Sequence, residues 1–224
     1  MRLHHHPAST TSRPILLLAA ELRLPVELKV VDLFAGEHLH REYAAINPSH
    51  LVPVLEDGDF RLTECAAILK YLADKASTPL YPCTLRERAR VNERMDWVNT
   101  QLARDFAYGF VYPQIFPAHR RESAAVQAAT LAWGRERALQ WLAVLDRHWL
   151  GAASPFLCGE QITIADYHAA PFVALGELVG SRFAEFPQLQ RWLERMKSLP
   201  HWAEVNAVID GYGATLDRAA LQGV

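Results

Sequence analysis

The chain has 224 residues, half of them apolar, and a formal charge of −2 at pH 7, which excludes a disordered chain and offers no basic surface for nucleic acid. No long apolar run signals secretion or a membrane span, so we expect a cytoplasmic protein without a membrane partner. The three cysteines lack the spacing of metal ligands or of a disulfide framework, so neither a metal nor a disulfide is expected.

The first predicted elements are a short strand, Arg2–His5, and a helix over 15–20 with Pro14 in its first turn. Main-chain N–H groups at such a helix start attract anions, and a nearby hydroxyl can donate a hydrogen bond to a thiolate. Ser and Thr are also ordinary helix caps, so this stretch alone leaves both interpretations open. Four hydroxyl residues follow one another there: Ser9, Thr10, Thr11 and Ser12.

The next patterns predict a βαβ unit followed by a ββα unit. Two apolar runs flank Asp57-Gly58-Asp59, which is a strong hairpin signal and makes the flanking strands antiparallel. The earlier stretch Val26–Leu33 alternates toward a buried strand. The predicted elements are the buried strand Val26–Leu33, a short helix over 41–46, the strands Val52–Glu56 and Phe60–Leu62, and a helix over 66–72.

Two features of this region suit ligand binding. Pro53 within a strand removes a ladder donor, and a cis bond after Val52 would leave the Val52 main chain free to pair with a ligand. Glu64 and Cys65 at a helix start could bind an α-amino acid, with its ammonium group on Glu64. Ordinary capping by Thr63 explains the same helix start, so both interpretations stay open.

After this region every pattern is helical. The proline-broken segment 76–84 predicts a linker between an N-terminal domain, 1–75, and an all-helical domain, 85–224. The second long helix is expected to bury Val126. Thr163-Ile164-Ala165-Asp166 has the form of a capping box. The predicted helices cover 86–112, 122–150, 165–176, 189–199 and 202–209.

Three motifs carry a family resemblance. Asn47 to Leu55 and Asp57 to Ile68 match the pattern N-P-x-x-x-V-P-x-L…D-G-x-x-x-L-x-E-S-x-A-I, with cysteine in place of the serine, and Pro7 to Arg13 matches P-x-S-x-x-x-R. In these motifs the chain resembles the cytosolic glutathione S-transferase family, specifically its theta-like, serine-type bacterial members. The resemblance implies an α/β, thioredoxin-like N-terminal domain (βαβ-ββα) and an all-α C-terminal helical domain.

The resemblance also implies roles for individual residues. Ser9 would donate a hydrogen bond to the glutathione sulfur, with Thr10, Thr11 and Ser12 as rival donors. Cys65 stands where the family usually has serine, and it is interpreted as a small cap and not as a redox thiol. The implied glutathione-binding residues are Glu64 and Cys65 at the γ-glutamyl end, Val52 with Pro53 at the cysteinyl backbone, and His38 near the glycyl carboxylate.

The aromatic stretch 104–112 is too rich in rings for one helix face, so part of it is expected to line a cleft. In the family this helix borders the electrophile site, which implies contributions from Arg104, Tyr108 and Tyr112. Core or dimer packing would also explain the aromatic residues, and a solvated face would explain Arg104.

The expected function is transfer of glutathione, as co-substrate and without a metal, to a small hydrophobic electrophile. The thiol would be activated as a thiolate, and the family resemblance implies a homodimer. Two alternatives use the same binding residues. One is a non-catalytic glutathione-binding or interaction module, and the other is a glutathione-dependent isomerase, dehalogenase or disulfide reductase.

Overall fold

A computed structural model describes residues 1–224. Its N-terminal region is a four-stranded sheet flanked by helices, in the strand order β2-β1-β3-β4. β1 pairs in parallel with β2 and antiparallel with β3, and β3 pairs antiparallel with β4. The predicted βαβ-ββα order is confirmed. The elements are β1 (Arg2–His5), α1 (Arg13–Glu21), β2 (Glu27–Val30), α2 (Arg41–Ala44), β3 (Val54–Asp57), β4 (Phe60–Thr63) and α3 (Cys65–Lys75).

The predicted hairpin is present, and the predicted burial of the second strand is wrong. Leu55 pairs with Leu62 across the hairpin, and Gly58 takes the left-handed conformation that the turn requires, with φ +65°. β2 lies at the sheet edge and all four of its residues are exposed. The alternating pattern could not reveal this, because burial of an edge strand depends on what packs against it.

The second region is entirely helical, as predicted. The long helix that begins at Leu85 changes at Val98 to wider π-type turns, which continue to Val111. None of the helices combines the length and apolar character needed to span a membrane. The helices are α4 (Leu85–Trp97), α5 (Tyr112–Ile115), α6 (Ala124–Val144), α7 (Ile164–Leu178), α8 (Pro187–Lys197) and α9 (Trp202–Ala214).

The long helix and α6 approach each other closely. A Cβ atom at Gly134 would collide with the carbonyl group of Gly109, so the two backbones can meet only because position 134 is glycine. Val126, which the pattern placed in the core, is exposed. It lies near the start of α6 and lines an open groove beside the long helix.

One continuous core joins the two regions. Residues of β1, α1 and α3 pack in the same apolar cluster as residues of the long helix and α7. Asp166 completes the predicted capping box at the start of α7. Its buried carboxylate accepts the main-chain N–H groups of Leu157 and Thr163, each at 2.8 Å, and the indole N–H of Trp192 at 2.9 Å.

Candidate functional site

Ser9 lies in the turn that begins helix α1. Its carbonyl accepts the main-chain N–H groups of Ser12 and Arg13 at 3.2 and 3.1 Å, and its hydroxyl oxygen also accepts the Ser12 N–H, at 3.2 Å. The Ser9 side chain is partly exposed. Its hydroxyl is therefore accessible at the N-terminal end of α1, where the helix dipole favours an anion.

Two of the rival hydroxyls, those of Thr10 and Ser12, are buried. Thr10 Oγ1 accepts the Tyr112 hydroxyl at 2.8 Å, and the Ser12 hydroxyl makes no hydrogen bond. Behind the turn, the Arg13 guanidinium is also buried and donates to Asn206 and Thr10. Burial lowers the pKa of Arg13 to about 10, so Arg13 remains a cation at neutral pH.

The third rival, Thr11, is partly exposed but its proton is already used. Its hydroxyl donates to the Val52 carbonyl at 3.0 Å, and its oxygen lies 3.1 Å from the Ser9 hydroxyl oxygen. Since the Thr11 proton points to Val52, the hydrogen between the two hydroxyls is that of Ser9. Ser9 is thus the partly exposed hydroxyl that can turn its hydrogen bond from Thr11 to a bound acceptor.

The peptide bond between Val52 and Pro53 is cis, which the sequence alone could not establish. The Val52 N–H makes no main-chain hydrogen bond. Just before it, the Leu51 carbonyl accepts the Tyr43 hydroxyl and the Asn47 amide, each at 2.8 Å. These bonds hold the loop, and the Thr11 hydroxyl joins it to the Ser9 turn.

The start of α3 is not capped in the ordinary way. Thr63 ends β4, and the residue that precedes α3 is Glu64, whose side chain makes no capping bond. The prediction that Thr63 caps α3 is therefore wrong, because the capping position belongs to Glu64. Glu64 adopts φ +67° and ψ +116° and turns the chain sharply between β4 and α3. Such a conformation costs a non-glycine residue on the order of 1–3 kcal/mol and is concentrated at functional sites. The Glu64 side chain is exposed.

Cys65 turns away from the solvent. It is buried, and its Sγ atom lies 3.5 Å from Nδ1 of His168. Burial, followed by the charge of Glu64, raises the pKa of the Cys65 thiol. At neutral pH the start of α3 therefore presents main-chain N–H groups and the Glu64 carboxylate, with a neutral thiol facing inward.

His38 lies in a short 3₁₀ helix, Glu37–Leu39, on the loop after β2. Its Nδ1 atom is buried without a hydrogen-bond partner, and its carbonyl accepts Nδ1 of His50 at 2.8 Å. The His50 contact ties this loop to the segment just before Val52. The His50 and Thr11 contacts thus link the loops of His38, Val52 and Ser9, although no direct contact joins His38 to Ser9 or Glu64.

Aromatic rings form a continuous cluster between the two regions, here called the aromatic cluster. Tyr112, which bonds to Thr10, brings this cluster to the Ser9 turn. Its ring lies 4.8 Å from that of Tyr108 and 5.3 Å from that of Phe116. Burial and the charge of Glu64 raise the pKa of Tyr108. The aromatic cluster consists of His6, Phe34, Tyr108, Tyr112, Phe116, His119 and Tyr212.

Arg104 makes its charged contacts within its own helix. It donates to the buried carboxylate of Asp105 at 2.6 and 2.9 Å, and Asp105 also accepts the Trp141 indole N–H at 2.7 Å. With Tyr108, Arg104 lines the open groove of about 750 Å³ against α6. Its contribution to an electrophile site remains a prediction.

Sequence reasoning missed most of the aromatic cluster. Phe34 lies on the loop after β2, Phe116 follows α5, and Tyr212 lies on α9. These segments are far apart in the chain and share no periodic pattern, so only their packing joins them. The Thr11 contact to Val52 was likewise not foreseen. No group of three or more His, Cys, Asp or Glu residues is arranged to hold a metal ion.

Comparison with known families matches both regions. The model of the glutathione S-transferase N-terminal domain matches residues 8–75, and that of the glutathione S-transferase C-terminal domain matches residues 115–200. The first match includes the Ser9 turn, the Val52-Pro53 bond and the start of α3.

Individual proteins are similar over most of their length. Human glutathione S-transferase theta-1 is 38% identical over 200 residues, which cover 85% of this chain and 79% of that protein. Human glutathione S-transferase theta-2 is 36% identical over 197 residues, covering 85% and 78%. A crystal structure of human glutathione transferase theta-2 with glutathione and an unknown ligand aligns with a TM-score of 0.84 and 31% identity, over 99% of this chain and 92% of that chain.

Proposed function

The chain belongs to the glutathione S-transferase family and is a glutathione transferase, and from that premise we propose that Ser9 activates the glutathione thiol. The thiolate then attacks a small hydrophobic electrophile. The observation that supports Ser9 is its hydrogen-bond inventory: its oxygen accepts the Ser12 N–H, and the Thr11 proton is engaged with Val52. The Ser9 proton can therefore turn to the sulfur.

The required stabilisation is within reach of this site. A free thiol has a pKa of about 8.5, and lowering it by ~2 units takes roughly 2.7 kcal/mol. A hydrogen bond to a charged group contributes about 1.5–3 kcal/mol, and a helix start adds about 0.3–1 kcal/mol for an anion. The buried Arg13 guanidinium adds positive charge on the interior side of the same turn.

The remainder of glutathione would follow the loops around Ser9. Glu64 takes the γ-glutamyl ammonium, the α3 start with Cys65 takes the adjacent carboxylate, and the Val52 main chain beside Pro53 pairs with the cysteinyl part. His38 approaches the glycyl carboxylate. The exposed Glu64 carboxylate, the unpaired Val52 N–H and the unpartnered His38 Nδ1 support these assignments.

The aromatic cluster is the proposed site for the electrophile. It reaches the Ser9 turn through the Tyr112 contact to Thr10, and aromatic walls favour an apolar substrate. Tyr108 and Tyr112 belong to this wall, and Arg104 would lie at its outer edge beside Tyr108.

We also propose that the protein is a cytoplasmic homodimer, as the family resemblance implies. Light scattering tests the dimer.

The test is the ultraviolet absorbance of the thiolate of bound glutathione as a function of pH. Wild-type protein should show thiolate well below pH 8.5, and Ser9→Ala should lose it while still binding glutathione. Thr11→Val is the matched control, because it removes a neighbouring hydroxyl whose proton is already used. Retained thiolate in Ser9→Ala would exclude Ser9, and bound but protonated glutathione in the wild type would favour a binding module.

A further inference from the structure

Three polar side chains connect the start of α3 to the helical region, and we call them the interdomain clamp: Cys65, His168 and Asn99. Cys65 Sγ lies 3.5 Å from His168 Nδ1, and His168 Nε2 lies 2.9 Å from Asn99 Oδ1. His168 is on α7 and Asn99 is on the π-type stretch after α4. The clamp therefore joins the two regions at the residue that follows Glu64.

The direction of each hydrogen bond follows from the charge of the imidazole. His168 is fully buried, and burial, followed by the charge of Lys70, lowers its pKa to about 3. The ring is therefore neutral and carries one N–H. Asn99 presents its oxygen to Nε2, so Nε2 holds that proton and Nδ1 accepts the S–H of Cys65. The Cys65 S–H therefore donates to the buried His168 ring and is not available to a ligand.

This arrangement does not make Cys65 a nucleophile. Thiol, imidazole and amide groups in the same order form catalytic sites in some hydrolases, but there the thiol must ionise. Burial raises the pKa of the Cys65 thiol, and its position facing His168 leaves no open approach to the sulfur. The clamp is suited to holding the start of α3 in place.

We propose that His168 and Asn99 are positioning residues for glutathione binding, because they hold the first residue of α3 from the helical region. This inference rests on the proposed function, in which the γ-glutamyl end binds at Glu64 and the start of α3. A strained backbone conformation such as that of Glu64 persists only where the surrounding structure fixes it, and the clamp fixes Cys65, the residue that follows Glu64. Two residues that lie outside the proposed glutathione contacts would thus set part of the affinity.

The experiment measures glutathione affinity by calorimetry, together with KM, kcat and the pKa of the bound thiol. His168→Leu removes both hydrogen bonds of the clamp and should weaken glutathione binding about 3- to 10-fold, the effect of losing the buried bond to Cys65 at the start of α3. The bound-thiol pKa should be unchanged, and kcat at saturating glutathione should stay within about 2-fold of wild type, since the Ser9 turn is unchanged. His168→Gln should restore part of the affinity through its side-chain amide.

Asn99→Ala keeps the test decisive if His168→Leu does not fold, because Asn99 is exposed. It should weaken binding about 2-fold. Trp192→Phe is the matched control, since it removes a buried hydrogen bond to Asp166 elsewhere in the helical region. It should lower Tm without changing glutathione affinity. In a double-mutant cycle, Cys65→Ala should add little to His168→Leu, because both break the same contact.

Three outcomes separate this inference from the proposed function. Wild-type affinity in His168→Leu and Asn99→Ala would overturn the clamp while leaving the role of Ser9 intact. Equal weakening by Trp192→Phe would also overturn it, because the effect would then be general destabilisation. A Ser9→Ala protein that keeps its thiolate would exclude Ser9, while the affinity data on His168 would still stand.

Discussion

The starts of α1 and α3 lie in the same domain and both belong to the proposed glutathione site, yet their side chains are placed in opposite ways. At α1 the Ser9 hydroxyl is partly exposed, and its hydrogen points to the Thr11 hydroxyl, from which it can turn to a ligand. At α3 the Cys65 thiol is buried and its proton is committed to His168. A helix start attracts an anion in both cases, and under the proposed function the direction of the side-chain hydrogen decides whether that side chain activates the ligand or only holds the backbone.

The start of α7 extends this comparison to a helix start with a purely structural role. There the Asp166 carboxylate accepts hydrogen bonds from groups of the protein alone. Asp166→Ala should lower the free energy of unfolding by about 3 kcal/mol or more, because four buried donors lose their acceptor. Chemical denaturation measures this loss, with Asp166→Asn as the variant of nearly equal shape. A loss below about 1 kcal/mol would mean that the capping box is not a structural element of the fold.

Ser9→Ala should have the largest effect on catalysis, about 100-fold in kcat, as expected for the loss of one donor to a developing anion. The bound-thiol pKa should rise by ~2 units toward its free value of about 8.5. The thiolate is the reactive form. At saturating glutathione, the rising limb of kcat/KM for the electrophile, plotted against pH, should therefore move to higher pH by the same amount. Unchanged pH profiles would remove Ser9 from the mechanism.

Glu64 tests whether backbone strain at α3 is linked to binding. Glu64→Ala and Glu64→Gly should both weaken glutathione binding about 10-fold, because each removes the carboxylate that we propose binds the ammonium group. Glu64→Gly should be more stable than Glu64→Ala by about 1 kcal/mol, since glycine tolerates φ +67°. Calorimetry and thermal unfolding give the two quantities separately, and equal stabilities would argue against strain at this residue.

Cys65→Ser should have the smallest effect. A serine hydroxyl can donate to His168 Nδ1 as the thiol does, so glutathione affinity should remain within about 2-fold of wild type. Titration of glutathione against both proteins measures this. An affinity gain of fivefold or more would mean that the side chain at position 65 turns to the ligand, and the contrast between the two helix starts would then be lost.

Local sequence patterns were sufficient for most of the secondary structure. The hairpin at Gly58, the capping box that ends at Asp166 and the long helix from Leu85 are each specified by residues within a few positions of one another. The motif around Ser9 was also found from sequence, because hydroxyl residues before a helix form a contiguous signal. The choice among its four hydroxyls was not, since burial of Thr10 and Ser12 depends on distant segments.

What only the tertiary structure decided are the contacts between segments far apart in the chain. Sequence periodicity does not reveal that β2 and Val126 are exposed. Nor does it reveal the contact of Phe34 with Tyr212 or that of Cys65 with His168. Periodicity reports which face of an element is apolar, but not which element covers that face or where a side-chain proton goes. The sequence by itself therefore determined the order of elements and the candidate chemistry, and packing determined which groups remain free to perform it.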